Sequence, residues 1–148
     1  MEIRLIKGFK EFLKLLNDHG VRYLLVGGYA VGFHGYPRGT KDLDIWVSPD
    51  PVNAEQLTKA VREFGFDLSE VTTALFMNPD QIVRMGVQPN QLELFTRMPG
   101  VEFEECCRER VISDFEGVAV DIICLDHLLK SKRASGRYRD LDDIENLT

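Results

Sequence analysis

The sequence predicts a mixed-sheet α/β or α+β fold, and three observations carry that prediction. Short apolar runs of strand type, such as Tyr23–Val26 and Leu92–Phe95, sit among segments whose apolar residues recur at helical spacing. The two kinds of element alternate without a regular βαβ period, which disfavours a doubly wound sheet. At 148 residues and 44% hydrophobic, the chain has enough apolar material for one core, so residues 1–148 are expected to form a single domain.

The elements follow from local patterns. Ile3, Ile6, Phe9, Phe12, Leu13 and Leu16 recur at helical spacing and Gly20 stands where a C-terminal cap glycine belongs, so residues 3–19 are expected to be an amphipathic helix. Tyr23–Val26 is too short for a helix and is stopped by Gly27 and Gly28, after which a brief helix is expected over residues 29–34. Residues 35–39, Gly-Tyr-Pro-Arg-Gly, are turn chemistry, and residues 42–47 form a second strand rich in Ile, Trp and Val. Asp50 as cap and Pro51 at the first helical position open a helix whose buried face is Leu57, Ala60, Val61 and Phe64, and Gly65 ends it. Residues 66–90 are the least legible, with strands expected over 74–77 and 81–85. Beyond them the pattern gives a strand at Leu92–Phe95 and a short helix at Phe103–Arg108. Strands over 110–113 and 118–123 follow, then helices over 126–135 and Tyr138–Leu147.

Composition excludes several classes of function. No apolar run approaches the roughly 20 residues that span a bilayer, and the N-terminus mixes charged with apolar residues, so a cytoplasmic protein without membrane contact is expected. A net charge of −6 argues against a broad nucleic-acid footprint. One basic cluster, Lys130, Lys132, Arg133, Arg137 and Arg139, runs directly into Asp140, Asp142, Asp143 and Glu145, which reads from this segment alone as a solvated helix face with charge pairs. Cys106, Cys107 and Cys124 lack the paired C-x-x-C spacing of a zinc site and are expected to be reduced, partly buried thiols. His19, His34 and His127 are far apart in sequence and read as surface or helix-end histidines. Trp46 reads as core or sheet-face packing. Neither a G-x-x-x-x-G-K-[ST] loop nor a G-x-G-x-x-G fingerprint is present.

The residues that can carry chemistry are Asp42 and Asp44. Side chains alternate along a strand, so these two carboxylates share one face, about 6.6 Å apart along the backbone, and can reach a common metal cluster. Fourteen residues before Asp42, Gly28 closes a glycine pair that opens a helix, where free N–H groups can approach an anion. A two-metal phosphoryl-transfer site needs further carboxylate, and Glu93 and Asp121, each inside an apolar strand, are the two candidates that alternation leaves open.

Val26-Gly27-Gly28-Tyr29-Ala30-Val31, His34-Gly35, Pro37-Arg38, Thr40 and Asp42-Leu43-Asp44-Ile45 together resemble the signature of the DNA polymerase β-like nucleotidyltransferase superfamily, in particular its small bacterial members related to abortive-infection and minimal nucleotidyltransferases. Leu92-Glu93-Leu94-Phe95-Thr96 resembles the segment that carries the third carboxylate there. Leu125–Leu129 with Lys132, Arg133, Arg137, Arg139, Asp140 and Asp143 is similar to the closing helices. The resemblance implies a mixed-sheet nucleotidyltransferase fold flanked by helices, with Asp42, Asp44 and Glu93 as catalytic residues and ligands of Mg²⁺ or Mn²⁺. It implies that Gly27, Gly28, Arg38, Thr40, Lys132 and Arg137 bind the nucleotide. The implied reaction moves NMP from an NTP to a hydroxyl acceptor on tRNA, protein or a small molecule. A weakly catalytic or non-catalytic partner in a toxin–antitoxin pair is the alternative, and a D-x-D glycosyltransferase is disfavoured because it leaves the glycine pair unexplained. Two departures stand out. Many superfamily members have Gly-Ser where this chain has Gly27-Gly28, and Glu93 stands where Asp is commoner.

Overall fold

The structure is a computed structural model, and it describes residues 7–86 and 90–148. Ile3 and Ile6, expected in the first helix, lie outside the described residues. Among those described, the order is α1 (Lys7–Asp18), β1 (Tyr23–Val26), α2 (Gly27–Phe33), β2 (Leu43–Val47), α3 (Pro51–Phe64), α4 (Thr73–Met77), β3 (Ile82–Met85), β4 (Leu92–Phe95), α5 (Phe103–Arg108), β5 (Val111–Phe115), β6 (Val118–Ile122), α6 (Leu125–Ser135) and α7 (Tyr138–Leu147). Six strands make one sheet in the order β3-β4-β2-β1-β6-β5. The β1–β2, β3–β4 and β5–β6 pairs are antiparallel, and β1–β6 and β2–β4 are parallel. The sheet is therefore mixed, as the aperiodic element order predicts.

Local chemistry accounts for the boundaries. Gly20 has φ +66, and after it Val21 N–H donates to Leu16 O at 2.9 Å, the closing bond of a left-handed helix cap. Asp50 accepts from Asn53 N–H at 3.0 Å and Pro51 occupies the first turn, so α3 starts where its sequence signals place it. Asn53 then ties α3 to the sheet: its Oδ1 accepts from Arg22 N–H, and its Nδ2 donates to the carbonyls of Arg22 and Ser48. Phe9, Phe12, Leu13 and Leu16 of α1 join Leu57, Ala60 and Val61 of α3 in a core with the fully buried β1.

Two expectations are corrected. The strand expected over residues 74–77 is helix α4, because Thr72 caps the segment by accepting from Leu75 N–H at 3.2 Å and turns a short apolar run into one helical turn around buried Phe76. The helix after β1 begins at Gly27, two residues earlier than expected, so both glycines belong to its first turn. Asp42 lies just before β2. Trp46 is buried against Phe103 of α5, edge to face with ring centroids 5.2 Å apart. Among the described residues, no helix is long and apolar enough to cross a membrane.

Candidate active site

Register builds the site. Antiparallel pairing sets Val26, the residue before the glycine pair, opposite Asp44, and parallel pairing sets Asp44 beside Glu93. Residues in register across a sheet point to the same face, so Glu93 joins the face that carries Asp44. Asp42, Asp44 and Glu93 line one cleft of about 1230 Å³ together with Gly27, Gly28, Arg38, Thr40, Lys132 and Arg137. All nine residues selected from the sequence are thus brought together. Asp121 is not among them. It lines a separate pocket of about 290 Å³ with Arg22, Glu104 and Arg110, and pairs with Arg110 Nε at 3.3 Å.

The glycine pair has a steric reason. Gly27 has φ +66, and a Cβ there would lie 2.8 Å from the Cβ of Asp44, already inside van der Waals contact and nearer still to the carboxylate. At Gly28 a Cβ would lie 2.6 Å from Thr40 Oγ1. The backbone at 27 and 28 therefore closes directly onto Asp44 and Thr40, and the space a side chain at 28 would fill holds the Thr40 hydroxyl. That hydroxyl donates to Asp42 O at 3.3 Å.

The carboxylates are poised to take a cation. Asp44 Oδ1 is buried and accepts no hydrogen bond from any described residue. Burial first, then the neighbouring charges of Glu93 and Asp42, push the Asp44 pKa up to about 7, against the weaker opposing pull of Arg38 and Lys132. Asp42 Oδ1 accepts from Gln91 N–H at 3.2 Å, and Glu93 faces Arg84 Nε at 3.4 Å across the β3–β4 pair. An unpartnered buried oxygen amid three like charges fits a bound divalent ion, which hard carboxylate oxygens ligate readily.

Three of the cations that line the cleft, Lys132, Arg38 and Arg137, are already engaged. Lys132 of α6 is 2.8 Å from Asp143 and 3.3 Å from Asp140 of α7. Arg38 grips Asp143 with both Nε, at 2.9 Å, and Nη2, at 3.1 Å. Arg137 Nε donates to Asp140 at 2.9 Å, while the rest of its side chain is exposed. Burial pushes the Asp140 carboxyl upward, but hydrogen bonds from Arg137 and Ser135 and the charge of Lys132 outweigh it and hold the pKa down at about 2. The acidic run after the basic cluster is therefore only partly a solvated face: Asp140 and Asp143 are buried and organise the cations. The D-x-x-D spacing, one turn apart on α7, is the signal that could have revealed this.

Sequence reasoning also missed a grouping. Glu109, Cys124 and His127 present one ligand atom each within 4.8 Å of one another. His127 lies in the first turn of α6 but is buried rather than on the surface.

Comparison with solved structures defines the class: the chain has a nucleotidyltransferase fold. It superposes on a nucleotidyltransferase candidate from Thermotoga maritima with a TM-score of 0.62 at 11% identity, covering 96% of this chain and 94% of that one. It also superposes on an antigenic nucleotidyltransferase-like protein from Paracoccidioides brasiliensis with a TM-score of 0.53 at 17% identity, covering 98% of this chain and 78% of that one. At these identities the likeness is one of fold. Residues 6–148 match the profile of the family described as "Nucleotidyl transferase of unknown function (DUF2204)", and the chain belongs to that family. Among curated proteins, none matches the sequence significantly.

Proposed function

We propose that the protein is a Mg²⁺-dependent nucleotidyltransferase of the cytoplasm that transfers NMP from an NTP to a hydroxyl acceptor and releases pyrophosphate. The observation that carries this reading is the parallel β2–β4 register, which sets Glu93 beside Asp44 on the wall of a cleft that also holds Asp42 and the glycine pair. Asp42, Asp44 and Glu93 would hold Mg²⁺, with Mn²⁺ as a substitute of the same ligand preference. When bound, the metal supplies charge neutralisation on the phosphates and acidifies the acceptor hydroxyl. The backbone at Gly27 and Gly28 seats the triphosphate, and Thr40 brings the hydroxyl that residue 28 lacks. Glu93, at the acceptor side, takes the hydroxyl proton as that oxygen attacks the α-phosphorus and the bond to pyrophosphate breaks. Lys132 and Arg137 neutralise the departing charge, and Arg38 holds Asp143, the α7 carboxylate nearest Lys132.

A second reading is a weakly catalytic or non-catalytic protein of this fold in a toxin–antitoxin pair. It draws on the pairing of Lys132 and Arg38 with Asp143, which lessens the positive charge offered to a triphosphate. Incubation with each labelled NTP, Mg²⁺ and cell extract separates the readings. The transferase reading expects label on RNA, protein or a small molecule with the intact chain and none with Asp42→Ala/Asp44→Ala. Absence of transfer with every NTP would sink it in favour of the partner reading.

A further inference from the structure

We infer that Glu109, Cys124 and His127 form a binding site for a zinc-class divalent cation at the base of the β5–β6 hairpin, apart from the carboxylate cleft. None of the three lines that cleft. Glu109 is the residue that ends α5 and Cys124 the residue that caps α6, so the two flank the hairpin where its chain enters and leaves. The donor set of thiolate, imidazole and carboxylate suits Zn²⁺, whereas the oxygen ligands of the cleft suit Mg²⁺.

The spacing of the thiol and imidazole suits a shared metal as well as it suits a hydrogen bond. Cys124 Sγ lies 3.4 Å from His127 Nδ1. Tetrahedral zinc, with Zn–S of about 2.3 Å and Zn–N of about 2.0–2.1 Å, separates its sulfur and nitrogen ligands by about 3.5 Å. The thiol and the imidazole therefore already stand at ligand spacing. His127 is buried, which fixes its ring, and Cys124 is the cap residue of α6, three positions before His127, so the start of the helix holds the sulfur beside the imidazole.

The carboxylates complete the set. Glu109 is 3.1 Å from His127 Nε2 and Glu105 is 3.8 Å from the same nitrogen. Both side chains are more than half exposed, so either can swing without disturbing the core. Glu109 stands on the Nε2 side of the ring and Cys124 on the Nδ1 side, with one ligand atom of each residue within 4.8 Å of the others, and rotation of the exposed Glu109 side chain toward Nδ1 would close the set on one ion. Glu105, 3.8 Å from Nε2, can then close on that nitrogen as the carboxylate that orients a metal-bound histidine, leaving one position for water.

Cobalt and zinc titrations of the metal-stripped full chain test the site. One equivalent of Co²⁺ should give tetrahedral d–d bands with a thiolate-to-cobalt charge-transfer band, and the Asp42→Ala/Asp44→Ala variant should keep them. Cys124→Ser should lose the charge-transfer band, and Glu109→Gln, altered at an exposed side chain that folding does not need, should weaken Zn²⁺ binding at least tenfold. Zn²⁺ should raise the melting temperature of the native chain more than that of Cys124→Ser, with circular dichroism reporting that each variant is folded. A native chain without the charge-transfer band would overturn the site. So would a band that survives Cys124→Ser, which would place the metal on Cys106 or Cys107, or Zn²⁺ affinity unchanged in Glu109→Gln.

Discussion

Asp44 is a carboxylate whose own fold works against its charge. Its pKa of about 7 lies above the ordinary value of 3.8, so the native state binds this proton more tightly than the unfolded chain does. The contribution to stability is complete below about pH 4 and is lost as pH rises through 7, with about 4 kcal/mol as the upper bound for a shift of this size. In chelator, Asp44→Asn should therefore melt above the native protein at pH 8, and the difference should close toward pH 4 in thermal unfolding followed by circular dichroism. Saturating Mg²⁺ should stabilise the native chain and leave Asp44→Asn nearly unmoved. Gly20 and Gly27, both at φ +66, make a second comparison, because Gly20 has open space around it and Gly27 has Asp44. Gly20→Ala should cost about 1–2 kcal/mol in urea unfolding, the ordinary strain of a left-handed residue. Gly27→Ala carries the same strain and must also push Asp44 aside, so it should in addition abolish label transfer from NTP. The glycine pair and D-x-D could be singled out because turn chemistry and strand alternation act locally, whereas alternation left Glu93 and Asp121 open and only the family resemblance pointed to Glu93. The contacts that explain the glycines were not legible, since no pattern in the sequence says that residue 27 meets residue 44.

Helices α6 and α7 meet through charges that are not on the surface. Asp143 is fully buried between Lys132 and Arg38, so removing it leaves Arg38 without its bidentate partner and Lys132 with Asp140 alone. Asp143→Ala should destabilise the protein by about 3–5 kcal/mol, read from urea unfolding monitored by Trp46 fluorescence. Most elements were legible because each carries its own signals: the cap at Asp50, the stop at Gly65, the period of α1. Residues 74–77 were not, because Ala-Leu-Phe-Met is as short and apolar as a strand and only Thr72 marks it as a helix start. The buried ion pairs were hidden for a related reason. A charge run on a helix looks the same whether its partners are water or an arginine a hundred residues away.

At the scale of the whole molecule, pairing of strands distant in sequence decides where chemistry can sit. The mixed class was legible from the irregular alternation of elements, but the order β3-β4-β2-β1-β6-β5 was not, since short strands of similar composition do not announce their neighbours. The choice between Glu93 and Asp121 depended on that order. β4 lies against β2, whereas β6 lies on the far side of β1, and Arg110 occupies Asp121 there. The β2–β4 pair also makes the site sensitive to register and tolerant of length. A residue inserted between Leu92 and Glu93 turns the following side chains to the opposite face and should abolish label transfer. Two glycines inserted after Ser69, in an exposed connection between α3 and α4, should leave transfer within a few-fold of the native rate.

Everything between β2 and β4, namely α3, α4 and β3, is a detour between two residues that stand side by side. Descendants of such a chain can lengthen, trim or redecorate the detour while inheriting the carboxylate pair unaltered. The scenery along the road can change while the junction where its ends meet stays fixed.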